Sequence, residues 1–283
     1  MSNNPADYIQ IAGPLFERVQ KEGIFPDSKH FVDMIPKADP VQIMAEYHEK
    51  IDLKAFVEKN FFLPEQKLPE APKCDNMHEY LIEMWRYLSR EMTSEEKWST
   101  LIDLPHRHIV PGGRFRECYY WDSYFVAKAL GKGGHHLVEN CAHLIDHYGF
   151  VPNGNRLYYL SRSQPPLFAV MSDLVEKDFS PQLSQEYHFW MRGVELGQKV
   201  HQHVVKTDIG ILNRYFDPAE VPRPESYRED LPYAGKYGDI RAACESGWDF
   251  SSRWLADPQD FNSIETSKIL PIDLNCLLYY LET

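Results

Sequence analysis

Helical periodicity recurs along this chain, and each time it is broken by a loop too rich in Gly, Pro, Arg and aromatic residues to be a plain connector. In DNMHEYLIEMWRYLSREM the apolar residues Leu81, Ile82, Trp85, Leu88 and Met92 follow the i, i+3, i+4, i+7 rule, and Asp75 is placed to cap the first turn. Such a stripe predicts one buried helix face. HHLVENCAHLIDHYG aligns Leu137, Val138, Cys141, Ile145 and Tyr148 and offers Gly149 as a stop. A third pattern starts at Ser180, with Pro181 in its first turn, and runs through SQEYHFWMRGVELGQKVHQHVVK for about 26 residues. The expectation is an all-α fold whose helices carry functional loops.

The chain has 283 residues, and no repeat or flexible linker interrupts it after the first 70. Residues 74–283 therefore read as one body. Residues 1–73, broken by Pro5, Pro14, Pro26, Pro36, Pro40, Pro64, Pro69 and Pro72, read as an N-terminal extension packed on that body. The net charge of −12 and the lack of a basic run argue against nucleic acid or an anionic membrane as partner. No apolar run reaches the roughly 18 residues of a membrane span. MSNNPADYIQIAGPLFERVQKEG has neither a basic n-region nor an apolar h-region, which leads to the expectation of a cytoplasmic protein. The five cysteines are scattered singly, a pattern of reduced thiols rather than of disulfides or a CxxC metal site.

PGGRFRECYYWDSYF, residues 111–125, combines rings, guanidinium groups and carboxylates, a mixture that suits a sugar. Hydrolysis of a glycosidic bond needs one carboxylic acid to protonate the leaving oxygen and a second carboxylate as base or nucleophile. Asp249 follows Gly247 and lies between Trp248 and Phe250. Desolvation by such rings raises a carboxyl's pKa toward what a general acid requires. A cap on the following SSRWL turn is the commoner use of an Asp there, and the residues alone leave that reading ahead. Asp122 and Glu117 stand even between binding a hydroxyl and a structural task. Arg114, Arg116, Arg156, Arg162, Arg223, Arg228, Arg241 and Arg253 cluster in or beside these loops, more densely than surface ion pairs require. The histidines of HRH (106–108), HH (135–136) and HQH (201–203) lack a carboxylate or cysteine at a recognisable ligand spacing, so no metal is assigned. GxSxG, GxxxxGK[ST] and GxGxxG loops are absent in usable form, which removes serine-hydrolase and phosphate-loop chemistry.

PGGRFRECYYWDSYF closely resembles the first signature of the trehalases, the glycoside hydrolases that split α,α-trehalose into two glucose molecules. VPNGNRLYYLSRSQPP, PRPESYRED, ESGWDFSSRW and ILPIDLNCLLYYLE follow in family order, from about residue 111 to the end of the chain. The resemblance implies an (α/α)6 toroid with a pocket at one end, an inverting acid/base mechanism and trehalose as substrate; no cofactor or metal is expected. It implies Asp249 as the general acid, reversing the cautious reading above. It further implies substrate contacts at Arg114, Trp121, Asp122, Asn153, Arg162, Ser163, Gln164, Arg223, Glu225 and Gly247.

One departure goes with it. The family's catalytic base and a Trp-rich QWD-type second signature lie later in the chain than Thr283, where this sequence stops. The expectation is the N-terminal part of a trehalase, an incomplete toroid with apolar helix faces left to self-associate. Two alternatives stay open. One is a non-catalytic sugar-binding or regulatory chain; the other is a hydrolase for a different small glycoside on the same fold.

Overall fold

The computed structural model describes residues 13–62, 71–91 and 97–283. Met92, Pro5, Pro64 and Pro69 lie outside these residues. Helices are α1 (Pro14–Glu22), α2 (Lys29–Val32), α3 (Pro40–Glu46), α4 (Leu53–Asn60), α5 (Met77–Leu88) and α6 (Tyr120–Leu130), followed by α7 (His135–Tyr148), α8 (Phe168–Ser172), α9 (Ser180–Trp190), α10 (Tyr227–Asp230), α11 (Tyr237–Glu245) and α12 (Ile272–Glu282). Strands are short: β1 (Ile35–Pro36) pairs with β2 (Phe61–Phe62), β3 (Ser89–Arg90) with β4 (His108–Ile109), and β5 (Val200–His201), β6 (Val204–Thr207) and β7 (Gly210–Asn213) form an antiparallel meander. The all-α class expected from the periodicity holds.

α7 forms where its stripe predicts it, burying Leu137, Val138, Cys141, Leu144 and Ile145. Gly149 ends it at φ 81°, a left-handed conformation that glycine adopts without a Cβ penalty, and its N–H bonds the Ile145 carbonyl. α5 also forms, but Asn76, not Asp75, caps it, accepting from the Glu79 N–H at 2.9 Å. Its expected buried face is not buried: Leu81 is 50% and Ile82 41% exposed.

The long helix expected from Ser180 stops at Trp190. Gly193 and Gly197 both take left-handed backbone, at φ 88° and 64°, which breaks the helix. The β-branched VHQHVVK run then pairs as β5 and β6. Asn213 at the end of this meander donates to the Trp190 carbonyl at 2.7 Å, while Asn275 of α12 brackets its backbone.

Three buried clusters hold the fold. One gathers α7, α8 and Phe179; a second joins α1, α2 and α4 to Tyr119, Tyr158 and Tyr159; the third centres on Trp190, Tyr215, Trp254 and Leu274. Between the first two lies Glu117, fully buried and bonded by Lys29 at 2.7 Å and Arg156 at 2.9 Å. Burial alone would raise its carboxyl, but the two cations outweigh that and hold it down at about 2. Glu117 thus ties the N-terminal segment to the body rather than meeting a ligand.

Candidate active site

A cavity of about 860 Å³ opens where α6, α11 and the loops before and after them converge. Its wall takes in Arg114, Trp121, Asp122, Asn153, Arg162, Gln164, Arg223, Glu225, Gly247 and Asp249. Ser163 does not reach it. Fully buried, Ser163 donates to the Val151 carbonyl at 2.6 Å, and its N–H donates to Glu245 at 2.9 Å. Glu245 of α11 also accepts from the Phe216 N–H and meets His203 Nε2 at 3.0 Å, so it fixes the SRSQPP segment, the end of the meander and α11 against one another.

Two arginines in the wall are locked by carboxylates. Arg162 pairs with Glu225 at 2.8 Å, and Arg223 forks onto Asp230 at 2.7 and 2.9 Å. Arg241, behind them, holds Asp217 at 3.0 Å and the Ser161 hydroxyl at 3.1 Å. Burial works against the Glu225 charge, but Arg162, Arg223 and Arg241 together hold the carboxyl below its ordinary range. The pairing is incomplete: Glu225 Oε2 and Arg162 Nε are buried without a hydrogen-bond partner in the protein. Both residues line the cavity, so hydroxyl groups of a ligand can satisfy what the protein leaves open.

Arg114 reaches in from the glycine-rich loop, bonded to Asp27 at 2.8 Å and to the Glu225 carbonyl at 3.1 Å. Gln164 accepts from the Trp121 N–H at 2.8 Å, which seats the start of α6. Asn153 is positioned through its backbone, its N–H donating to the Arg162 carbonyl at 3.1 Å. Asp122 lies in the first turn of α6, which begins at Tyr120 rather than at Ser123, and its side chain does not cap the helix.

Asp249 opens onto the cavity, between Trp248 and Phe250. Ser251, not Asp249, caps the turn at Ser252–Trp254. The capping alternative for Asp249 therefore falls. Asp249 is solvent-accessible, but the protein atoms around its carboxyl desolvate it and raise its pKa, against weaker downward pulls from a backbone N–H, Arg223, Arg162 and the Cys244 thiol. Burial pushes that thiol up to about 12, so it remains a hydrogen-bond donor. Asp122 is also raised, first by burial and then, after an opposing backbone bond, by the Asp249 charge. Gly247 at φ 68° brings the backbone against Trp121: an added Cβ would lie 2.5 Å from the indole. Phe250 holds φ 54°, unusual for a bulky residue, with its ring 5.1 Å from the Arg223 guanidinium.

The sequence motifs missed part of this wall. Lys29 comes from the N-terminal segment, outside the motifs, while Tyr119, Tyr159 and Glu229 lie inside PGGRFRECYYWDSYF, VPNGNRLYYLSRSQPP and PRPESYRED but are not among the contacts the resemblance implies. Tyr119 and Tyr159 carry one legible signal, since they flank Gly154, where a Cβ would approach both rings at 3.2 Å. Three other arginines of the cluster serve the scaffold: Arg156 holds Glu117, Arg228 donates to the Phe25 and Pro26 carbonyls, and Arg253 pairs with Asp273.

A polar cavity in a helical scaffold, with half-satisfied Arg and Glu pairs and a desolvated carboxyl at its edge, is of the class that holds a polyhydroxylated molecule against an acid. The trehalase family model matches residues 23–283. A putative periplasmic trehalase of Salmonella typhi is 45% identical over 96% of this chain and 53% of its own length, and a periplasmic trehalase of Salmonella paratyphi B matches to the same extent. The chain belongs to the trehalase family, and it spans about half the length of these curated relatives. Among solved structures, the neutral trehalase of Saccharomyces cerevisiae aligns with a TM-score of 0.45 and 27% identity, covering 62% of this chain and 38% of that one. The relatives correct one expectation. They are named periplasmic trehalases, which overturns the cytoplasmic reading. That reading rested on N-terminal residues of a chain covering about half of its relatives, and those residues do not report on a leader.

Proposed function

We propose that the chain provides the acid and most of the sugar-binding wall of a periplasmic, inverting α,α-trehalase. Asp249, whose carboxyl desolvation raises above its ordinary value, donates its proton to the interglycosidic oxygen as the C–O bond breaks. A water activated by a base attacks the anomeric carbon from the opposite face, and two glucose molecules leave. Arg114, Asn153, Arg162, Gln164, Arg223 and Glu225 take the hydroxyl groups, while Trp121 covers an apolar sugar face. The observation that carries this reading is the raised Asp249 carboxyl facing a cavity whose Arg162 and Glu225 both keep buried polar atoms without a hydrogen-bond partner in the protein.

The base is assigned to residues outside this wall. Glu225 is committed to its arginines, Glu229 accepts from the Ser28 hydroxyl at 3.2 Å, and burial raises the Asp122 carboxyl. A base must be ionised and free to take a proton from water.

Calorimetry with trehalose tests the binding half of the proposal. The chain is expected to bind, and Asn153→Ala, which removes one polar group from the wall, to weaken binding about tenfold. Maltose and sucrose should compete poorly. No binding heat from folded chain would sink the assignment.

A further inference from the structure

HRH and HH show no complete ligand set along the sequence, but the fold brings one together. On α7, Glu139 follows His136 by three residues and so shares its helix face. His106, from the loop ahead of β4, comes down on the same spot. Its Nε2 is 3.1 Å from Glu139 Oε2, and His136 Nδ1 is 4.0 Å from that oxygen. The two imidazoles lie nearly parallel with centroids 4.9 Å apart. One nitrogen from each ring and one carboxylate oxygen all fall within 4.8 Å of one another.

We propose that His106, His136 and Glu139 bind a zinc ion, with water in the fourth position. Two imidazoles and a carboxylate match zinc's preference for nitrogen and oxygen donors. Tetrahedral bonds of about 2.0–2.2 Å need donor atoms roughly 3.3 Å apart, which small side-chain rotations reach from here. The ligands are already oriented. The buried Asn140 side chain accepts from the His106 N–H at 2.9 Å and donates to its carbonyl at 3.0 Å, clamping the loop to α7. Lys177 donates to Glu139 Oε1 at 3.1 Å, leaving Oε2 for the metal. The site lies outside the sugar cavity, but its loop runs through β4 into the segment bearing Pro111, Arg114 and Phe115 of the cavity wall. Zinc would act as a clip that stiffens this approach.

The test is calorimetric titration of the whole chain with zinc sulfate, paired with the cobalt(II) visible spectrum. One ion per chain is expected. His106→Ala, His136→Ala and Glu139→Gln should each weaken binding by at least about tenfold, since even outer-sphere partners cost that much. His147→Ala should leave it unchanged, although its ring pairs with His143 on the same helix. Circular dichroism checks folding, and if His106→Ala disturbs the loop, exposed His136 decides the matter. No stoichiometric binding, binding indifferent to the triad, or binding lost in His147→Ala would each overturn the site.

Discussion

α7 and α5 carry the same kind of apolar stripe and meet different fates. α7 buries Val138 and Ile145 completely, between α6, α8 and α9. α5 has no fully buried residue: Met77, Leu81 and Ile82 are exposed, and Trp85 is only partly covered. Periodicity states that a face wants a partner. It does not state that the partner lies within the described residues of the same chain, and here the chain spans about half the length of its relatives.

The sharpest way to break this contrast is to truncate one residue from each stripe. Ile145→Ala should cost about 2–5 kcal/mol by the cavity it leaves, whereas Leu81→Ala should stay within about 0.5 kcal/mol. Urea midpoints measure both. Equal costs would mean that α5 is covered in solution.

A pH experiment probes the packed side. Glu186 is fully buried beside α6, accepting from the Tyr120 hydroxyl at 2.7 Å, and burial pushes its carboxyl up to about 8 despite that bond. The unfolded chain loses this proton near the ordinary value of 4.5, while the folded chain keeps it until about 8. The folded state therefore binds the extra proton, and stability falls as pH rises through that window. Glu186→Gln should flatten the fall. An unchanged stability profile between those limits would remove Glu186 as its source.

The smallest expected effect concerns the open side. Leu81→Ser with Ile82→Ser should reduce self-association in sedimentation velocity without altering the circular dichroism spectrum. Association indifferent to the change would place the contact elsewhere.

Much of the fold was legible where local signals agreed. The α7 stripe and its Gly149 stop told the same story, and the dense Arg and aromatic loops did converge on one cavity. The failures have local causes. VHQHVVK reads as helix by its apolar spacing, but two left-handed glycines and β-branched residues turn it into a hairpin. Ser163 sits in a motif of cavity residues yet faces the scaffold, because its neighbours' side chains alternate between wall and core. Lys29 could not be seen in the site from sequence, since only tertiary packing carries α2 to Glu117. Glu139 is not legible as a ligand in the sequence, because its companion His106 is distant along the chain.

The central claim is that Asp249 supplies the acid and that the base lies outside this wall. Glucose release from trehalose by the purified 283-residue chain, beside an Asp249→Asn version, tests it most directly. The account predicts a folded chain that binds trehalose and releases no more glucose than the variant. Release that disappears on Asp249→Asn would place the base within these residues and contradict it.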